Sequence, residues 1–214
     1  MPDKIKTMRY GGTNDLMQTC TRCGESLDRH GIEITSDDRT EKLAKTFQGA
    51  LDRAVSSGLV KGIAAARASC MVGAAIAKIG SAEYKFVAIS GAAVDILNHT
   101  GANALGRDVT LIRDGDAFPL TTITGQPLTL AQPVKGTRNR DYPLGACAAQ
   151  KLLMAIFRKQ KQAKGKITSI NMSEILWSDP SPVGHNRDWS TGEVVCSCDT
   201  CKRVVPIMLC DHTE

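Results

Sequence analysis

A chain of 214 residues, 42% of them apolar, is long enough for one domain with a buried core, and an aromatic content of only 4% implies an interior of aliphatic and small side chains. A net charge of +5 permits a nucleic-acid partner without requiring one. The apolar run Leu59–Ile79 is broken by Lys61, Arg67 and Lys78 and so reads as a buried helix, not a membrane span, while Met1–Thr19 lacks the apolar stretch of a secretory leader, so a cytoplasmic protein is expected.

In chain order, residues 1–38 are polar and irregular and contain Cys20-Thr-Arg-Cys23. From Thr40, an N-cap candidate, Leu43, Phe47, Leu51 and Val55 recur at every fourth residue, which predicts one helical face. Ser56-Ser57-Gly58 breaks it, and a second helix is expected over Leu59–Ile79, stopping at Gly80. Tyr84–Ile89 reads as a strand ended by Ser90-Gly91. Residues 92–107 are ambiguous, and two short strands, Val109–Ile112 and Leu120–Thr124, are expected on either side of Asp114-Gly115. A basic loop with Lys135, Arg138 and Arg140 leads to Cys147, where a helix begins that runs to about Gln162 with Leu153, Ile156 and Phe157 inward. Ile167–Trp177 is a strand, 178–192 a loop rich in Pro, Gly, Ser and Asp, Val194-Val195 a short strand, and the last helix starts at Cys198.

Eight cysteines at positions 20, 23, 70, 147, 196, 198, 201 and 210, two pairs of them spaced Cys-x-x-Cys, read as reduced thiols and metal ligands better than as a disulfide framework. Cys147 and Cys198 both open helices, where exposed amides and the helix dipole favour the thiolate that binds zinc. Cys147, Cys198 and Cys201 supply three ligands and leave a fourth position for water, the arrangement of a catalytic zinc. Other readings stay open. Cys198 and Cys201 are alternatively buried thiols, or join Cys20 and Cys23 in a structural four-cysteine site; Cys20 and Cys23 alone are half a zinc knuckle with His30, or free thiols in an arm. Cys70 and Cys210 are expected in the core, and Cys196 beside the metal or in the core.

The motif Gly145-Ala-Cys147-Ala-Ala149-Gln150-Lys-Leu-Leu, followed after a strand by Cys198-Asp-Thr-Cys201, resembles the two motifs of the cytidine deaminase-like zinc-dependent nucleobase deaminases, Cys/His-x-Glu and Cys-x-x-Cys. Over residues 84–210, the cysteine as first ligand, the Val87-Ala-Ile-Ser-Gly91 strand and the helical N-terminal half look most like bacterial toxin-type deaminases. Free-nucleoside deaminases carry Pro before their second motif, and Pro is absent before Cys198. The resemblance implies a three-layer α/β/α fold on a mixed sheet with a helical N-terminal extension: an irregular arm over 1–38, a helical part over 39–82 and a deaminase-like zinc domain over 83–214. It also implies strands beyond the second motif helix; either these are missing or another segment supplies an edge.

What the resemblance implies chemically is hydrolytic deamination of a nucleobase, with cytosine in DNA or RNA foremost. Zinc brings the pKa of its water to about 7 for attack on the amino-bearing ring carbon, and a Glu two residues after the first ligand moves the protons. That position is Ala149, and losing such a group typically costs a factor of about 10²–10⁴ or more, so an inactivated chain is expected. Substrate contacts are sought at Asn98 and His99, at the Trp177-Ser178 pair, and at His185, Asn186 and Trp189 on the loop over the site. A toxin would act inside a bacterial cell, having been secreted into it, and would have an immunity protein as partner. Two rival readings remain: a deaminase of free cytidine or nucleotides, and a non-enzymatic zinc-binding module for nucleic acid or a protein partner.

Overall fold

The computed structural model describes residues 19–25, 29–57, 69–91, 94–100, 105–113, 119–128, 144–178, 190–194 and 198–212. They form a mixed α/β structure with strands β1 (Ile34–Thr35), β2 (Ser69–Ile79), β3 (Ala82–Ile89), β4 (Val109–Leu111) and β5 (Ile167–Ser178) and helices α1 (Asp38–Ser56), α2 (Val94–His99), α3 (Ala148–Ala163) and α4 (Asp199–Met208). The sheet order is β1-β5-β2-β3-β4. The pairs β5–β2 and β2–β3 are antiparallel, and the edge pairs β1–β5 and β3–β4 are parallel.

The helix expected over 59–79 is corrected for its described part: residues 69–79 are β2, the middle strand. Ala favours a helical reading of Cys70-Met-Val-Gly-Ala-Ala-Ile-Ala, but a strand with both faces covered shows no polar alternation either. Val72 and Ala74 pack with Phe47 and Leu51 of α1 and with Ile175 and Trp177 of β5. On the other face Ala75 and Ala77 pack with Met172 of β5, Leu152, Leu153, Ile156 and Phe157 of α3, and Val204, Val205 and Met208 of α4. The small residues of β2 let both helical layers approach. At Gly73 the approach is closest, since an added Cβ would stand 2.8 Å from Leu152 Cδ1 and 3.1 Å from Ala148 Cβ. Because Ile79 pairs with Ala82, β2 and β3 are one hairpin, and the segments 39–82 and 83–214 share one sheet.

The helix α1 starts before the expected N-cap Thr40. Asp37 caps it, accepting from Thr40 N–H at 2.8 Å, and Thr40 is instead the reciprocal partner of a capping box. Of the expected face, Phe47 and Leu51 are fully buried and Leu43 and Val55 partly so. Burying each large side chain contributes roughly 1.5–3 kcal/mol. Ser173 on β5 receives the start of α1, meeting Ser36 Oγ at 2.6 Å and Thr40 Oγ1 at 2.7 Å, and Asn171 Nδ2 donates to Asp37 Oδ2 at 2.8 Å. The arm is therefore not irregular throughout: β1 lines the outer edge of β5, with Ile34 opposite Ile170.

The strand expected over 120–124 is also corrected. Thr121 forms an isolated bridge to Pro127, and the chain turns between them, with Gly125 N–H donating to Thr122 O at 2.8 Å. β4 pairs with β3 and not with this turn. Likewise Val194 makes a single bridge to Ile175. No described helix is long and apolar enough to cross a membrane.

Candidate metal centre

The segment 144–147 turns sharply into α3, with Gly145 at φ +84°. Cys147 occupies the N-cap position with extended backbone, yet its side chain makes no capping hydrogen bond. One other side chain, that of Glu174, takes that role, and Gln150 ties down the turn before it. Gln150 Oε1 accepts from Gly145 N–H at 2.6 Å, and Glu174 Oε1 on β5 accepts from Ala149 N–H at 3.2 Å. The end of β3 holds the same turn from the other side: Gly91 N–H donates to Ala146 O at 2.8 Å, and buried Lys151 Nζ donates to Gly91 O at 2.7 Å. Sequence reasoning gives Gln150, Lys151 and Glu174 no role in the site. Gln150 is open to detection as a polar N3 residue that reaches back over a helix start; Glu174, in a strand interior, carries no signal.

On α4, Cys198 is the N-cap, and its Sγ accepts from Cys201 N–H at 3.4 Å. This turn brings both sulfurs of the Cys-x-x-Cys to one side. Strand β5 lies between the two motifs in sequence, and α3 and α4 share the cluster on its inner face. The result is that Cys147, Cys198 and Cys201 converge, with their three Sγ atoms within 4.8 Å of one another and Cys147 Sγ 3.5 Å from Cys198 Sγ. Two thiolates on a tetrahedral zinc, at about 2.3 Å each, stand about 3.8 Å apart, so the spacing fits that ion. Gln150 Nε2 donates to Cys201 Sγ at 3.5 Å and joins the two motifs.

The charge of the cluster is uneven. Cys198 is lowered to about 3, chiefly because the Cys147 thiol donates to it, with Cys201 and backbone amides adding. Cys147 is raised, first by that bond to Cys198, and Cys201 is raised by its bonds to both neighbours. A second thiolate in so small a volume needs a cation beside it.

Ala149 is at the start of α3 with no exposed surface. Trp177 packs under α1, fully buried, its Nε1 donating to Asp52 Oδ1 at 2.7 Å, so it lies on the opposite face of the sheet. Asn98, at the end of α2, is exposed and accepts from Arg113 Nη1 at 2.8 Å. Ser178 closes β5 opposite Ser69, on the face that strand alternation gives to Glu174. The side chain of His99 and all of His185, Asn186, Trp189, Cys196, Lys135, Arg138 and Arg140 lie outside the described residues.

The four-cysteine alternative is corrected. Cys20 and Cys23 meet His30 and Cys210, not Cys198 and Cys201, so the described residues contain two separate groups that can hold a metal ion. No protein-family model, no curated protein and no solved structure matches this chain.

Proposed function

We propose that the chain is a zinc-dependent nucleobase deaminase of the bacterial toxin type, acting on cytosine in DNA or RNA, with its proton-shuttling position held by Ala149. The observation that carries this reading is the convergence of Cys147, at one helix start, with Cys198 and Cys201, at another, into a three-thiol group of zinc dimensions. The element order supports it: an antiparallel hairpin, a helix opening at Cys147, a strand, and a helix opening at Cys198. Strands beyond α4 have no counterpart among the described residues, and β1 borders β5 at that edge instead.

The overall reaction adds water to the ring carbon, expels the exocyclic amine as ammonia and leaves a carbonyl. Zinc, when bound, activates the water for this attack. The chain's own residues set the geometry: Gln150 and Glu174 hold the turn that aims Cys147, and Lys151 and Gly91 fix that turn to the sheet. The proton that must travel from water to ring nitrogen and amine has no carrier at Ala149, so the chain binds substrate and turns it over poorly. As a toxin-type enzyme it acts inside a bacterial cell, with an immunity protein as its inhibitor.

A second reading is favoured by one observation. Ala149 is completely buried and its amide is already bound by Glu174, as expected if alanine belongs to the fold and the chain is a zinc-bearing binding module. Restoring a carboxylate by Ala149→Glu and scoring deaminated product from single-stranded DNA, double-stranded DNA, RNA and free cytidine separates the readings. Product from a polymer supports the toxin-type deaminase, product from cytidine alone supports a metabolic enzyme, and no product supports the module.

A further inference from the structure

We propose that Cys20, Cys23, His30 and Cys210 bind a second zinc, a structural clasp that fastens the segment preceding β1 to the C-terminal end of α4. The four ligand atoms lie within 4.8 Å of one another. Cys23 Sγ is 3.4 Å from His30 Nε2, where a sulfur and an imidazole nitrogen on one tetrahedral zinc stand about 3.6 Å apart. The donor set is three thiols and one imidazole, all from the protein. Such a closed set marks structural zinc, in contrast to the three-ligand group on α3 and α4.

The local backbone is shaped for it. Gly24 N–H donates to Cys20 O at 2.9 Å and Cys20 N–H donates to Glu25 O at 2.8 Å, which closes the Cys-x-x-Cys into a knuckle. Gly24 sits at φ +73°, and an added Cβ would meet nothing within 4 Å, so glycine is there for its dihedral and not for space. Cys210 is fixed just past α4, its N–H donating to Ile207 O at 3.1 Å. Cys20 and Cys210 have no exposed surface and His30 has 4%.

A core cluster of thiols has no use for an imidazole. Nε2 of His30 stands 3.4 Å from Cys23 Sγ inside a group of three cysteines, a placement that metal ligation accounts for and apolar packing does not. Nor does a disulfide account for the group, since one bond would leave a third thiol and the histidine over, and all three cysteines are free. As a metal ligand through Nε2, the histidine has a reason to be buried against sulfur.

The clasp also explains how the two-residue strand β1 is held. So short a strand contributes little by itself. Zinc at the knuckle anchors the chain just before it. The same ion grips α4 at the end opposite Cys198 and Cys201, so it braces the helix that carries two ligands of the first site.

The test is metal content of the purified full chain. Two zinc ions per chain are expected, falling to one in Cys23→Ser and to one in Cys147→Ser. Cys23→Ser is chosen because Cys23 is partly exposed and its truncation disturbs packing least. It should also melt at a lower temperature than the intact chain, with secondary structure retained. Zinc content unchanged in Cys23→Ser overturns the clasp and leaves the first site standing; content unchanged in Cys147→Ser fails the first site and leaves the clasp. If Cys23→Ser does not fold, Cys147→Ser decides: one zinc ion retained supports the clasp, and none contradicts it.

Discussion

The carboxylate of Glu174, on the central sheet, accepts a hydrogen bond from the backbone N–H of Ala149 at 3.2 Å. It stands in for the cap that Cys147 does not provide, and it puts a negative charge at the positive end of α3. Glu174→Ala should cost about 1–2 kcal/mol, the usual loss for a removed cap, and weaken zinc retention because the turn holding Cys147 loosens. Glu174→Gln keeps the acceptor and should recover most of the stability. Thermal unfolding and zinc content of the two variants check this; equal loss in both would mean that the charge matters and the hydrogen bond does not.

Gly73 is where the start of α3 rests on the sheet. Gly73→Ala places a methyl group 2.8 Å from Leu152 Cδ1 and 3.1 Å from Ala148 Cβ, next to Cys147. Overpacking of this kind costs about 1–3 kcal/mol. The variant should fold, melt lower and hold zinc at the first site less tightly, measured by competition with a chromophoric chelator. Unchanged affinity with lowered stability would show that α3 yields elsewhere.

Trp177→Phe removes the indole N–H that Asp52 accepts and should cost about 1–2 kcal/mol. Because Trp177 lies under α1, zinc content and oligonucleotide affinity should not change. A large fall in oligonucleotide affinity, with stability little affected, would place the indole in the substrate site instead.

Much of the candidate centre is legible in the sequence because its signals are local. Cys147 and Cys198 each open a helical pattern, and Cys-x-x-Cys suits two sulfurs to one ion whatever the rest of the chain does. The clasp is half legible: Cys20, Cys23 and His30 are neighbours in sequence, but Cys210 joins them only through the packing of α4. The central strand reads as a helix because Gly73, Ala74, Ala75 and Ala77 answer to the closeness of two helical layers, and that requirement is tertiary. Trp177 draws attention by its position before the second motif, whereas its side of the sheet is set by strand register, which the motif does not encode.

Loading the first site should release protons. At pH 7 Cys198 is a thiolate, held near 3, whereas Cys147 and Cys201 are raised and protonated. Zinc binds all three as thiolates, so two protons leave per ion, and apparent affinity should rise about 100-fold per pH unit through neutrality. Calorimetry on Cys23→Ser, in buffers of different ionisation enthalpy, reads this without the clasp. A release of three protons at about pH 6, below the ionisation of a zinc-bound water, would mean that Cys198 is protonated in the metal-free chain.

Turnover by Ala149→Glu decides whether the chain is a deaminase lacking its proton carrier. With fold and zinc intact, this variant should deaminate cytosine in a polynucleotide at least about 10²-fold faster than the chain with alanine, the gain expressed in kcat and not in KM, since a proton carrier acts on the transition state. In a bacterial host it should leave C→T changes. Ala149→Gln should stay at the level of the unaltered chain, because an amide of the same size as the carboxyl group cannot carry the proton. No deamination of any nucleobase substrate by a folded, zinc-loaded Ala149→Glu would contradict the account and make the chain a binding module.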